Sequence, residues 1–190
     1  MRRAAGFATA ISFVASLAAA EAKLPFPVAL GGPYELTDQF GKTRTQADPN
    51  GHAQLIFFGY ANCPNICSAT YPLMGEIAKR LEAEGYFVTP VMITIDPEQD
   101  RVDNMAEPLG QFHDRFIGLT GSPDALKEAY AAFNVTFEKL FLDPEYGWIY
   151  SHTGFLHLMD GSGELLTVLP PVLEEGQMTK IVRSYVAPSG

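Results

Sequence analysis

The chain has 190 residues, 47% of them hydrophobic, and carries a net charge of −9. That length fits one domain, and the composition supports a packed core, which excludes an intrinsically disordered chain. An acidic surface repels phosphate backbones, so nucleic acid is not an expected partner.

In chain order, residues 1–20 read as a secretory signal peptide. Arg2 and Arg3 open it, an apolar run from Ala4 to Leu17 follows, and Ala18-Ala19-Ala20 closes it with small side chains. Cleavage is expected before Glu21, with an uncleaved anchor in the inner membrane as the alternative. Removing this segment, which holds two arginines and no acid, makes the chain two charges more negative. Residues 21–32 contain two prolines and a Gly-Gly pair and read as an extended lead-in, and 33–187 read as the folded domain.

Short strands are expected at 34–36 and 42–45, around the turn Asp38-Gln39-Phe40-Gly41. The nearly unbroken apolar run from Gln54 to Tyr60 predicts a strand covered on both faces. Cys63 and Cys67 follow at once. From Leu73 the pattern is helical, with Leu73, Ile77 and Leu81 on one side and Glu76, Lys79, Arg80 and Glu84 on the other. Gly85 ends that helix. Residues 87–95 form a second buried strand, in which Pro90 predicts an edge position or a bulge. A helix is expected over 101–114, despite Pro108 and Gly110, and a short strand over 116–119.

Ser122-Pro123-Asp124 marks a helix start, with a capping hydroxyl, a proline at the first position and an acid in the first turn. Leu126, Ala129, Tyr130 and Phe133 form its buried stripe. Residues 155–159 and 164–169 pair as a hairpin across Asp160-Gly161-Ser162-Gly163, and Met178, Ile181, Val182 and Tyr185 give a last helix one apolar face. The alternation predicts an α/β fold: a central mixed β-sheet flanked by helices, with an N-terminal β-hairpin. By analogy, the order strand, CxxxC, helix is that of a thioredoxin-like sandwich.

The only two cysteines, Cys63 and Cys67, carry the chemistry. As a structural disulfide they would add little, about 2 kcal/mol for so short a loop. Residues four apart on a helix share one face with Cα atoms about 6 Å apart, within the range a disulfide tolerates. The pair can therefore close reversibly, or open and present two soft thiolates suited to Cu(I), with a helix N-terminus favouring the thiolate form. A third donor is then required. Of the four histidines, His52 in a polar turn and His113 on a surface helix are expected to be solvated. Alternation puts His157 on a sheet face with Phe155 and Met159. His152, in a Ser/Thr/Gly loop ahead of that strand, is favoured as the ligand without excluding His157.

The stretches 32–41 (GPYELTDQFG), 57–67 (FFGYANCPNIC), 94–100 (TIDPEQD), 116–123 (FIGLTGSP) and 151–163 (SHTGFLHLMDGSG) together resemble the Sco/SenC family of copper-binding proteins. The family assists assembly of the dinuclear copper centre of cytochrome c oxidase. The resemblance implies a thioredoxin-like fold in which Cys63, Cys67 and His152 match the copper ligands, for Cu(I) and, with further donors, Cu(II). It also implies a periplasmic setting and a copper-receiving oxidase subunit as partner, with a periplasmic copper donor or thiol reductant as further partners. The expected role is a metallochaperone rather than an enzyme. The alternative is a thiol–disulfide oxidoreductase in which Cys63 and Cys67 are the catalytic redox pair that reduces a partner's copper-ligating cysteines. Two departures stand out. Ser68 follows the second cysteine where many relatives have proline, and Ser151 precedes His152 where relatives often carry an acid, a charge that Asp143 or Glu145 could supply.

Overall fold

The structure is a computed structural model and describes residues 30–61 and 66–188, with the side chains of 66–68 excepted. The expected signal peptide, most of the lead-in and Cys63 lie outside the described residues. In chain order the elements are β1 (Glu35–Asp38), β2 (Thr43–Thr45), β3 (Ala53–Gly59), α1 (Ile66–Ala83), β4 (Val88–Thr94), α2 (Ala106–Gly110) and β5 (Ile117–Thr120). They continue with α3 (Pro123–Ala132), β6 (Phe137–Asp143), β7 (Gly147–His152), β8 (Leu156–Met159), β9 (Leu165–Leu169) and α4 (Glu175–Tyr185).

Seven strands form one mixed sheet in the order β2-β1-β5-β4-β3-β8-β9, with β6 and β7 paired separately. The centre is parallel, β3 to β4 and β4 to β5, and antiparallel pairs complete it on either side. Leu55, Ile56, Phe57 and Phe58 of β3 and Met92 and Ile93 of β4 are all at most 1% exposed, as central strands covered on both faces require. This is the α/β thioredoxin-like sandwich expected from the sequence, with β1 and β2 as its N-terminal hairpin. That hairpin is pinned by the buried Asp38 carboxylate, which accepts from the Phe40 and Lys42 N–H groups at 2.9 Å and from Arg44 Nε at 2.7 Å.

Alternation along β3 separates the two faces. The Phe57 ring meets Tyr71 of α1 at 5.9 Å, whereas Phe58 meets Tyr130 of α3 at 6.2 Å and Phe133 just beyond it at 5.2 Å. Helix α4 packs beside α1, burying Met178 and Val182, with Arg80–Glu175 and Arg183–Glu84 ion pairs at 2.8 Å along the seam.

Several expectations need correction. Helix α1 starts at Ile66 rather than Leu73, so Pro72 lies inside it. Its buried stripe is Tyr71, Met74, Ile77, Ala78 and Leu81, with Leu73 at the rim. Gly75 is required there by close approach, because a Cβ would stand 2.5 Å from the Phe112 carbonyl oxygen. Gly85, at φ +83°, ends the helical region as expected. Strand β4 is neither edge nor bulged: Pro90 pairs with Leu55 in unbroken register, one residue before the ladder to β5 begins at Val91. The helix expected over 101–114 shrinks to Ala106–Gly110 within a series of turns. The β6–β7 ladder, read from sequence as a loop, is a further strand pair with a register shift at Leu140.

Candidate metal centre

Ligands in open α/β sheets gather at the carboxyl ends of the parallel strands, and three segments converge there. Strand β3 runs through Tyr60 and Ala61 toward Cys63, and α1 begins three residues beyond that cysteine. Of Cys67 only its place in the first turn of α1 is described. Unsatisfied N–H groups at that end of a helix favour negative charge. Tyr71 lies one turn further along α1. Its hydroxyl donates to the Tyr60 carbonyl at 3.1 Å, and its ring packs edge-on against Phe57 and Phe116.

The β6–β7 ladder brings the histidine. His152 is the last residue of β7, paired with Phe137 at the root of the hairpin. Alternation turns Phe137, Lys139, Tyr150 and His152 to one side of this ladder. Phe137 meets Tyr130 at 5.1 Å, Tyr150 meets Tyr60 at 5.3 Å, and the half-buried His152 ring meets Phe57 at 5.6 Å. Phe57 thus lies against both the imidazole and the helix that bears Cys67. His152 Nδ1 is 3.1 Å from the Thr153 carbonyl oxygen. In the tautomer that donates this hydrogen bond, the ring's lone pair is on Nε2.

The other histidines sit elsewhere. His157 pairs with Ile56 on the Phe58 face, across the sheet from α1, and is 2% exposed between Phe58 and Phe133. Desolvation pulls its pKa down to about 4, and its Nδ1 has no hydrogen-bond partner. It is a neutral core residue. His113 is not solvated as expected: it is 6% exposed, its Nδ1 accepts the Arg115 N–H at 3.1 Å, and Nε2 is 3.4 Å from Glu82. Burial lowers its pKa as well. His52 is only half-exposed, with its ring 5.2 Å from Phe87. Among the described residues no group of three or more His, Cys, Asp or Glu side chains could hold a metal ion. Cys63 and the Cys67 side chain lie outside those residues, and a thiolate pair is a soft donor set of the kind that suits Cu(I).

The acids expected to supply charge near His152 do not lie there. Asp143 pairs with Gly147 at the tip of the hairpin, where its carboxylate accepts from the Glu145 and Tyr146 N–H groups. His152 is at the root, five strand steps and about 16 Å away. Glu138 stands opposite Ser151, but that pair faces the other side of the ladder from His152.

Sequence reasoning missed the residues that brace the centre. The Asp100 carboxylate, buried at 3% exposure, accepts the Ala61 N–H through both oxygens at 3.0 and 3.2 Å and the Thr94 hydroxyl at 2.6 Å. Asp96, equally buried, faces the Tyr150 hydroxyl; burial raises the pKa of both groups, and the hydroxyl partly counters the rise at Asp96. Hydrophobic periodicity holds no signal for such acids, and the TIDPEQD stretch was legible only as a mark of resemblance.

Comparison with known proteins agrees with this architecture. Residues 22–187 match the SCO1/SenC family. The chain is 35% identical over 140 residues to an SCO2-like protein of Rickettsia conorii, covering 73% of this chain and 68% of the relative. The structure of Arabidopsis thaliana ScoI with copper bound is similar at a TM-score of 0.74 and 28% identity, covering 82% of this chain and 97% of that one. Yeast Sco1 with copper bound is similar at a TM-score of 0.74 and 30% identity, covering 83% and 88%. With every described strand and helix inside the matched span, the chain belongs to the SCO1/SenC family.

Proposed function

We propose that this chain is a copper metallochaperone, holding one copper ion through the thiolates of Cys63 and Cys67 and the imidazole of His152. It passes the ion by ligand exchange to a copper-receiving subunit of cytochrome c oxidase during assembly of the dinuclear copper centre. Residues 1–20 direct its export to the periplasm. The observation that carries the reading is the edge contact of His152 with Phe57, the ring that also meets Tyr71 one turn beyond Cys67. Two sulfurs and one nitrogen suit a trigonal Cu(I) site. The copper-bound state of the Arabidopsis and yeast relatives supports the choice of ion.

The test is a Cu(I) titration of the reduced, signal-free protein, followed by absorption and native mass. One ion per chain is expected, with His152→Ala weakening binding and His157→Ala leaving it nearly unchanged. A His152→Ala variant that held copper as tightly as the parent would overturn the ligand assignment.

The place of Cys67 in the first turn of α1 favours a second reading beside the first. Cys63 and Cys67 would pass two electrons and two protons to a partner disulfide, becoming a disulfide themselves. A reduction potential below the range of periplasmic exchange partners would remove this second role.

A further inference from the structure

The loop after β4 touches both arms of the centre. Thr94 ends the strand; its hydroxyl donates to the Asp100 carboxylate at 2.6 Å and accepts the Asp96 N–H at 2.9 Å. The Gln99 and Asp100 N–H groups both donate to the Asp96 carbonyl, at 3.1 and 2.9 Å, which closes the loop on itself. Its back is held by the Tyr130 hydroxyl, which donates to the Thr94 carbonyl at 2.7 Å, and by the Thr120 hydroxyl, which donates to the Asp100 carbonyl at 3.0 Å.

From this closed loop the two acids reach in different directions. Asp100 takes the Ala61 N–H, two residues before Cys63. Asp96 faces the Tyr150 hydroxyl, two residues before His152 and on the same side of β7. Burying two carboxylates within five residues is unfavourable unless each is hydrogen-bonded, and an apolar loop could close the same turn with less desolvation. What the acids add is position: Asp100 is hydrogen-bonded to the segment before Cys63, and Asp96 stands beside the hydroxyl of Tyr150, whose ring packs on Tyr60, so that both segments meet one rigid turn.

We infer that the Thr94–Asp100 loop is a clamp that sets the spacing of the copper site, with Asp100 positioning the cysteine arm and Asp96, through Tyr150, positioning the histidine arm. The inference rests on the copper reading above. It makes the two arms separable: removing the Tyr150 hydroxyl, with the ring contact to Tyr60 kept, acts through His152, whereas disturbing Asp100 acts on the cysteines whether or not His152 is present.

The experiment uses four proteins, parent, Tyr150→Phe, Asp100→Asn and His152→Ala, together with each of the first two changes in the His152→Ala background. Cu(I) affinity is read by competition with a chromophoric Cu(I) chelator. The potential of the Cys63–Cys67 couple is read without copper against glutathione, and urea midpoints confirm folding. Tyr150→Phe should weaken Cu(I) binding about fivefold in the parent and not at all in His152→Ala, the non-additivity of a shared path. Asp100→Asn, which turns one acceptor toward Ala61 into a donor, should weaken it about fivefold to tenfold in both backgrounds and shift the potential. Equal weakening by Tyr150→Phe in the two backgrounds, or none in either, would overturn the histidine half. An Asp100→Asn protein with parental affinity and potential would overturn the cysteine half. If Asp100→Asn does not fold, Thr94→Val frees the same carboxylate and is judged by the same two measurements. A parent that takes up no Cu(I) sinks the copper reading alone. The potential then decides the clamp: a shift in Asp100→Asn but not in Tyr150→Phe upholds it, and no shift overturns it.

Discussion

Mild acid should destabilise the copper-free protein, and the larger share of the loss is assigned to one buried imidazole. His157 has its pKa drawn from 6.5 to about 4 by desolvation between Phe58 and Phe133. Between those two values the unfolded chain binds a proton that the native state refuses. Stability is therefore full above pH 6.5 and declines as pH falls toward 4. At about 1.4 kcal/mol per pKa unit the whole loss is about 3 kcal/mol, of which about 2 kcal/mol has gone by pH 5. His113, also lowered by burial, contributes in the same direction, so the His157 share is isolated by comparing the parent with His157→Leu. Urea unfolding followed by the fluorescence of Trp148, the single tryptophan, at pH 8 and pH 5 with the cysteines kept reduced, gives both differences. The parent should lose about 2 kcal/mol more than the variant over this interval. Equal losses would refute the account of a neutral imidazole in an apolar slot.

Three further outcomes follow from packing and hydrogen bonds. Asp38→Ala strands Arg44 and two backbone N–H groups in the β1–β2 turn and should cost about 3 kcal/mol, seen as a lower urea midpoint. Gly75→Ala drives a methyl group into the Phe112 carbonyl and should cost about 1–3 kcal/mol, measured by thermal unfolding. Ser122→Ala removes the side chain that accepts the Ala125 N–H at the start of α3, and a loss of about 1 kcal/mol is expected from denaturant unfolding.

The parts of the fold legible in sequence are those where burial writes the pattern. The apolar runs at 54–60 and 87–95 became β3 and β4, and the Ser122-Pro123 start with Leu126, Ala129 and Phe133 became α3 with its cap. The β6–β7 ladder was missed for the converse reason. Leu140, Phe141 and Leu142 are more than half exposed, so apolar residues there mark no core face, and the shift at Leu140 breaks the alternation a strand would show. Pro90 misled because it was read by its local rule, while a central strand absorbed its one missing N–H. Spacing brought His152 forward only modestly. Its advantage over His157 is a matter of which side of the sheet each occupies, and that depends on pairings between segments about a hundred residues apart.

Phe57 and Phe58 are neighbours in the chain and belong to separate compartments, one shared with His152 and α1, the other with α3 and His157. Losing a single residue between Ala53 and Phe57 would hand each ring to the opposite side and exchange the surroundings of the two histidines at a stroke. Strand β3 is therefore confined to changes of length in steps of two. Insertions that survive in such a chain belong in turns such as 144–146, where no alternation is at stake.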